Sequence, residues 1–259
     1  MSAPEVLTTR EGRILTITIN REDRRNAMNA AVLEGIAAAL RRAADDPAVG
    51  LVVLTGAGSS AFCAGADLSP ESASFRHDPA RPGTPLTRLL RTAREFPLPL
   101  IARVNGHCLA GGMGLMAMCD LAVAAEHAMF GLPEVKIGLF PMVASSVVRP
   151  LIGARAFAEL ALTGEPIDAA EALRIGLVNH VVPAAELDAK VAWLAARLLD
   201  KSPTAIRRGK YAMRRSEAMG FEEALSFLEA ELGLLAQSED AQEGRAAFNE
   251  KRRPIWSGR

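Results

Sequence analysis

Apolar positions change their period along the chain. Val6–Thr9 and Ile14–Ile19 are short β-branched runs on either side of Glu11-Gly12, which predicts an opening hairpin. From Ala30 to Ala44, alanines and leucines recur at helical spacing, with Arg41 and Arg42 near the negative end such a helix would have. Leu51–Leu54, Leu98–Val104 and Leu121–Ala125 are short apolar runs that predict buried strands. Ser69–Arg94 mixes prolines, serines and charges without a clean period and predicts a loop, with a helix beginning at Pro85. After Pro141 helical spacing takes over, through Ala154–Leu162, Ala169–Arg174, Glu186–Leu199, Pro203–Arg215 and Phe221–Gln237. Strands alternating with helices predict an α/β class with parallel pairing. The domain reading is a core over residues 1–200 followed by a helical region over 201–259.

Composition narrows the partners. Lys+Arg and Asp+Glu both number 30, so no net field draws the chain to nucleic acid or an acidic membrane. No apolar stretch reaches the ~20 residues of a spanning helix, and MSAPEVLTTREGR lacks a signal-peptide core. Cys63, Cys108 and Cys119 are spaced for neither a disulfide framework nor a zinc site, and His77, His107, His127 and His180 form no metal-binding pattern. The expectation is a cytoplasmic protein without a metal or other resident cofactor.

Four segments could carry chemistry. Gly56-Ala-Gly58-Ser-Ser-Ala61 follows a predicted strand and fits a GxGxxA dinucleotide fingerprint, with Asp78 twenty residues beyond Gly58. A fingerprint opens a long helix, however, and Phe62-Cys-Ala-Gly-Ala-Asp-Leu68 does not read as one, so a glycine turn is the better reading. Ala64-Gly65-Ala66-Asp67-Leu68 would let a backbone approach a ligand closely, or would simply form a tight loop capped by Asp67. In Asn105–Leu115 the glycines Gly111, Gly112 and Gly114 each lower helix propensity by ~1 kcal/mol relative to alanine. Bare peptide N–H groups at a helix start could form an oxyanion hole; close helix–strand packing would use the same glycines. Glu134 stands among Leu132, Pro133, Val135, Ile137 and Leu139, a setting that would raise its pKa, unless it is a solvent-facing carboxylate paired with Lys136.

Taken in order, these segments resemble the enoyl-CoA hydratase/isomerase (crotonase) superfamily. The likeness runs from Asn20-Arg-Glu-Asp-Arg-Arg-Asn26-Ala-Met-Asn29, with Glu22 where proline is usual, to Ala247-Phe-Asn-Glu-Lys251-Arg-Arg-Pro-Ile-Trp256. It implies a crotonase-like ββα spiral core with a C-terminal helical trimerisation region, assembled as a trimer or a dimer of trimers. It also implies an acyl-CoA thioester as substrate, with CoA supplied by that substrate. By resemblance, the N–H groups of Ala64 and Gly111 form the oxyanion hole, and Glu134 is the catalytic acid. Ala64, Ala66, Asp67 and Leu68 lie along CoA, Arg24 or Arg25 meets its phosphates, and Phe248 and Lys251 reach the CoA site of a neighbouring subunit.

The chain departs from the family at one catalytic position. Family hydratases carry a second glutamate three positions after the hole glycine, where this chain has Gly114. Dienoyl-CoA isomerases place an extra acid where Met142 stands. Hydration of a 2-enoyl-CoA, the commonest activity of the family it resembles, is the first expectation all the same. The alternatives are Δ3,Δ2-enoyl-CoA isomerisation by Glu134 alone and non-catalytic acyl-CoA binding. Phe221, Leu225, Leu228, Leu232 and Leu235 form one helix face, which must bury against the chain's own core or, as the resemblance implies, another subunit.

Overall fold

The computed structural model describes residues 3–69, 72, 80 and 82–259. Asp78, His77 and much of the Ser69–Arg94 loop lie outside the described residues. The chain opens with β1 (Val6–Glu11) and β2 (Ile14–Ile19), an antiparallel hairpin as predicted, followed by α1 (Ala30–Asp45). The Asn29 side chain caps α1 by accepting from the Val32 N–H.

Three strand–strand–helix turns come next. The first is β3 (Leu51–Gly56), β4 (Ala61–Cys63) and α2 (Pro85–Glu95). The second is β5 (Leu100–Val104), β6 (His107–Leu109) and α3 (Gly111–Ala117). The third is β7 (Leu121–Ala125), β8 (Met129–Gly131) and α4 (Met142–Thr163). The long strands of the three turns are parallel neighbours in a six-stranded sheet, ordered β1-β2-β3-β5-β7 and ending in β10 (His180–Val182). The short strands are parallel neighbours in a second sheet, β4-β6-β8, closed by antiparallel β9 (Ile167–Asp168). Each turn thus stacks beside the one before it in both sheets.

β3 is buried along its whole length, because it is covered on both faces. Val52 and Leu54 join the large core under α1 to α4. Leu51 and Val53 face Leu187, Val191 and Leu194 of α6 (Leu187–Leu199), which follows α5 (Ala169–Arg174). The buried Asn105 side chain fastens two strand corners, accepting from the Gly56 N–H and donating to the Gly58 carbonyl. β4 follows Gly58 where a dinucleotide fingerprint would need a helix, so that reading is excluded.

The helical tail comprises α7 (Pro203–Ser216), α8 (Phe221–Ala236) and α9 (Glu239–Asn249). Lys210 of α7 ties it to the core, donating to the Leu98 carbonyl at 2.7 Å and pairing with Asp120 at 2.6 Å. Asp240 of α9 is buried and accepts from Ser202 Oγ and from the Ser257 and Gly258 N–H groups. No described helix is long and apolar enough to cross a membrane.

Candidate active site

The β4 exit, the α3 start and the segment before α4 enclose one cavity of about 480 Å³. Its wall includes Ala64, Ala66 and Leu68 from the first turn, Ala110 and Gly111 from the second, and Glu134 and Phe140–Ala144 from the third. Met28 also lines it. A parallel bridge joins Met28 to Ala66, with the Met28 N–H donating to Gly65 and the Asp67 N–H donating to Met28. Those bonds turn the N–H of Ala66 away from Met28, and among the described residues it has no hydrogen-bond partner.

This geometry corrects the expectation for Ala64, whose N–H donates to the Arg25 carbonyl at 3.1 Å and so has no room for a thioester oxygen. The donor two residues on, Ala66, lies beside Gly111: a Cβ built on Gly111 would sit 4.0 Å from the Ala66 nitrogen. Gly111 is the first residue of α3, where helix geometry offers its N–H no acceptor. Ala110, which turns the chain into α3, adopts φ 51° and ψ −127°, a backbone region costly for an L-residue. Its N–H is held by the Gly131 carbonyl at 2.8 Å.

The three glycines answer to different causes. A Cβ on Gly112 would meet the Cys63 carbonyl at 2.3 Å, so this glycine serves helix–strand contact. A Cβ on Gly111 would meet the flexible tip of Met28. Gly114 has room: its Cβ would lie 3.6 Å from Ala144 Cβ, an ordinary contact.

Glu134 sits on a 3₁₀ turn, Pro133–Ile137. Its Oε2 is buried and has no hydrogen-bond partner among the described residues. Burial pushes its pKa up from the ordinary 4.5, against a smaller opposing pull from its own backbone N–H. Lys136 pairs with Glu165 at 2.8 Å, not with Glu134. Among the described residues Glu134 is the only carboxylate lining the cavity, whose other walls are mostly apolar.

The remaining expected residues divide. Leu68 lines the cavity mouth and is 59% exposed. Asp67, expected along CoA, has its carboxylate turned inward: it accepts from the Ser69 N–H at 3.0 Å and pairs with Arg21 at 2.8 Å, which hold its pKa at about 2. It positions the loop. Arg24 and Arg25 are exposed, and neither lines the cavity. Phe248, 83% exposed, and Lys251 lie at the end of the tail and do not reach their own chain's cavity. Met28 was not singled out from the sequence; the Ala27-Met28-Asn29 match was the one signal that could have pointed to it.

The family model for enoyl-CoA hydratase/isomerase matches residues 9–259. The chain belongs to the enoyl-CoA hydratase/isomerase family. It is 35% identical over 261 residues to 2,3-dehydroadipyl-CoA hydratase of Escherichia coli K12, covering 98% of this chain and 99% of that one. It is 35% identical to crotonyl-CoA hydratase of Syntrophomonas wolfei, covering 98% of each. An enoyl-CoA hydratase structure from Mycobacterium smegmatis superposes with a TM-score of 0.90 at 33% identity, covering 98% of this chain and 99% of that one. The three strand–strand–helix turns are therefore those of the crotonase fold, and the chain is an enzyme of this superfamily.

Proposed function

We propose that the cavity binds a 2-enoyl-CoA thioester and hydrates it. Glu134 supports this reading most strongly: a carboxyl with a raised pKa and an unpartnered oxygen stands in the same apolar cavity as two peptide N–H groups. The thioester oxygen sits between the N–H groups of Ala66 and Gly111, which hold the enolate as charge develops on that oxygen. Ionised Glu134 takes a proton from water while the water oxygen bonds to C3. The C2–C3 double bond becomes the enolate, and Glu134 returns its proton to C2. One carboxyl serves both proton transfers in turn, so no second acid is needed at Gly114. Arg24 or Arg25 is proposed to meet the CoA phosphates, and Phe248 and Lys251 to complete the CoA site of a neighbouring subunit. No resident cofactor enters this scheme.

A second reading rests on Gly114. With Glu134 the only cavity carboxylate among the described residues, the site also suits isomerisation. There Glu134 removes a C2 proton from a 3-enoyl-CoA and delivers it to C4. Purified protein assayed with crotonyl-CoA and with a 3-enoyl-CoA separates the two. Rapid formation of 3-hydroxybutanoyl-CoA supports hydration, and conjugation of the 3-enoyl substrate without water addition supports isomerisation. Silence on both substrates would overturn both readings.

A further inference from the structure

Val143 of α4 separates the cavity that holds Glu134 from a second one. It lines both. The second cavity, about 270 Å³, lies between α2 and α4, with apolar walls from Leu90, Met118 and Val147. Arg91, Arg94 and Arg214 also line it. Two of these guanidinium groups are already matched: Arg94 pairs with Glu217 at 3.0 Å, and Arg214 pairs with Asp120 at 3.0 Å. Asp120 also serves Lys210 at 2.6 Å. Arg91 has no acidic partner within ion-pair distance among the described residues. The cluster thus sets four cations against two carboxylates around a small apolar space.

We propose that this second cavity receives the far end of the acyl chain and that Arg91 selects chains ending in a carboxylate. The proposal rests on the acyl-CoA reading given above and names its substrate class, an ω-carboxyacyl thioester. Methylenes suit the apolar walls. The guanidinium group of Arg91, an exposed residue of the lining, offers paired donors matched to a carboxylate. A methyl terminus in the same place would meet no such partner.

Calorimetric titration with saturated CoA thioesters tests this without turnover. Pairs of equal chain length, one methyl-terminated and one carboxylate-terminated, are titrated into the wild type, Arg91→Ala and Arg91→Lys, with free CoA as a third ligand. At the length that spans both cavities, the wild type should bind the carboxylate member about tenfold or more tightly. Arg91→Ala should erase that ratio and Arg91→Lys should keep part of it. Equal affinities at every length would overturn the proposal. So would an Arg91→Ala variant that weakens both members and free CoA alike, since Arg91 would then serve the CoA phosphates or the fold. Wild-type turnover of 2-enoyl-CoA thioesters of that length, both carboxylate- and methyl-terminated, measured in parallel, reports on the hydration reading separately. A carboxylate preference without turnover would sink the reaction and keep the subsite.

Discussion

Glu134 is held where ionisation is unfavourable, and this has a consequence for stability as well as for catalysis. Its pKa is raised in the folded protein by burial, so between the unfolded and folded values the native state binds more protons than the unfolded chain. Stability contributed at this position is therefore lost as pH rises from the ordinary glutamate range through the folded pKa, and the deficit persists above it. Glu134→Gln should unfold at a higher temperature than the wild type at neutral pH, and the gap should close below about pH 4. A thermal melt series showing the gap unchanged at low pH would contradict this. At the same scale, Gly111→Pro removes one peptide donor at a helix position that tolerates proline. Turnover should fall ~10²–10³-fold while acyl-CoA binding is largely kept. A matched loss of binding and helicity would make the glycine structural instead. The sequence identified the Ala64–Leu68 loop but not which of its N–H groups is available. That depends on the Arg25 carbonyl reaching Ala64 and the Met28 bridge turning Ala66, neither of which leaves a mark on residue type.

Among the elements, α3 links fold to chemistry, because its seven residues begin at the proposed hole and run beneath α4. Gly114 packs against Ala144, which lines the cavity, and a first side-chain carbon fits there without a clash. If the lack of an acid at Gly114 is what suppresses hydration, Gly114→Glu should raise hydration of crotonyl-CoA relative to isomerisation of a 3-enoyl-CoA. An unchanged ratio in a folded variant would show that Glu134 already supplies both protons. The long strands β2, β3, β5 and β7 were legible because each is an apolar run with covered faces. The second sheet was not: β4, β6 and β8 have three residues each and β9 has two, too few to show a period of two. α4 was read only from Ala154 because Gly153, at φ 76° and ψ 170°, breaks the helical path and Pro150 stands just before it. α9 was missed because its charged first turn and single well-buried alanine, Ala247, give it a weak stripe.

Over the whole molecule, the tail is the part the single chain leaves unfinished. No residue of α8 is buried, and Phe221, Leu225 and Leu232 are 77%, 52% and 66% exposed. The chain's own core thus does not cover the face the sequence predicted, and the reading that remains is a proposed interface with other copies. Leu228→Asp combined with Leu232→Asp should yield smaller species with weakened CoA binding, as Phe248 and Lys251 would no longer reach a neighbour. Light scattering that finds a fully active wild-type monomer at assay concentration would contradict it. The central claim, an enolate held by Ala66 and Gly111 with Glu134 carrying the proton, is tested most directly by proton exchange at C2. Butanoyl-CoA incubated with the enzyme in D2O and followed by NMR should lose its C2 proton signal, and Glu134→Gln should slow that loss by ~10²–10⁴-fold. Exchange at the same rate in both proteins, or none with the wild type, would contradict the account.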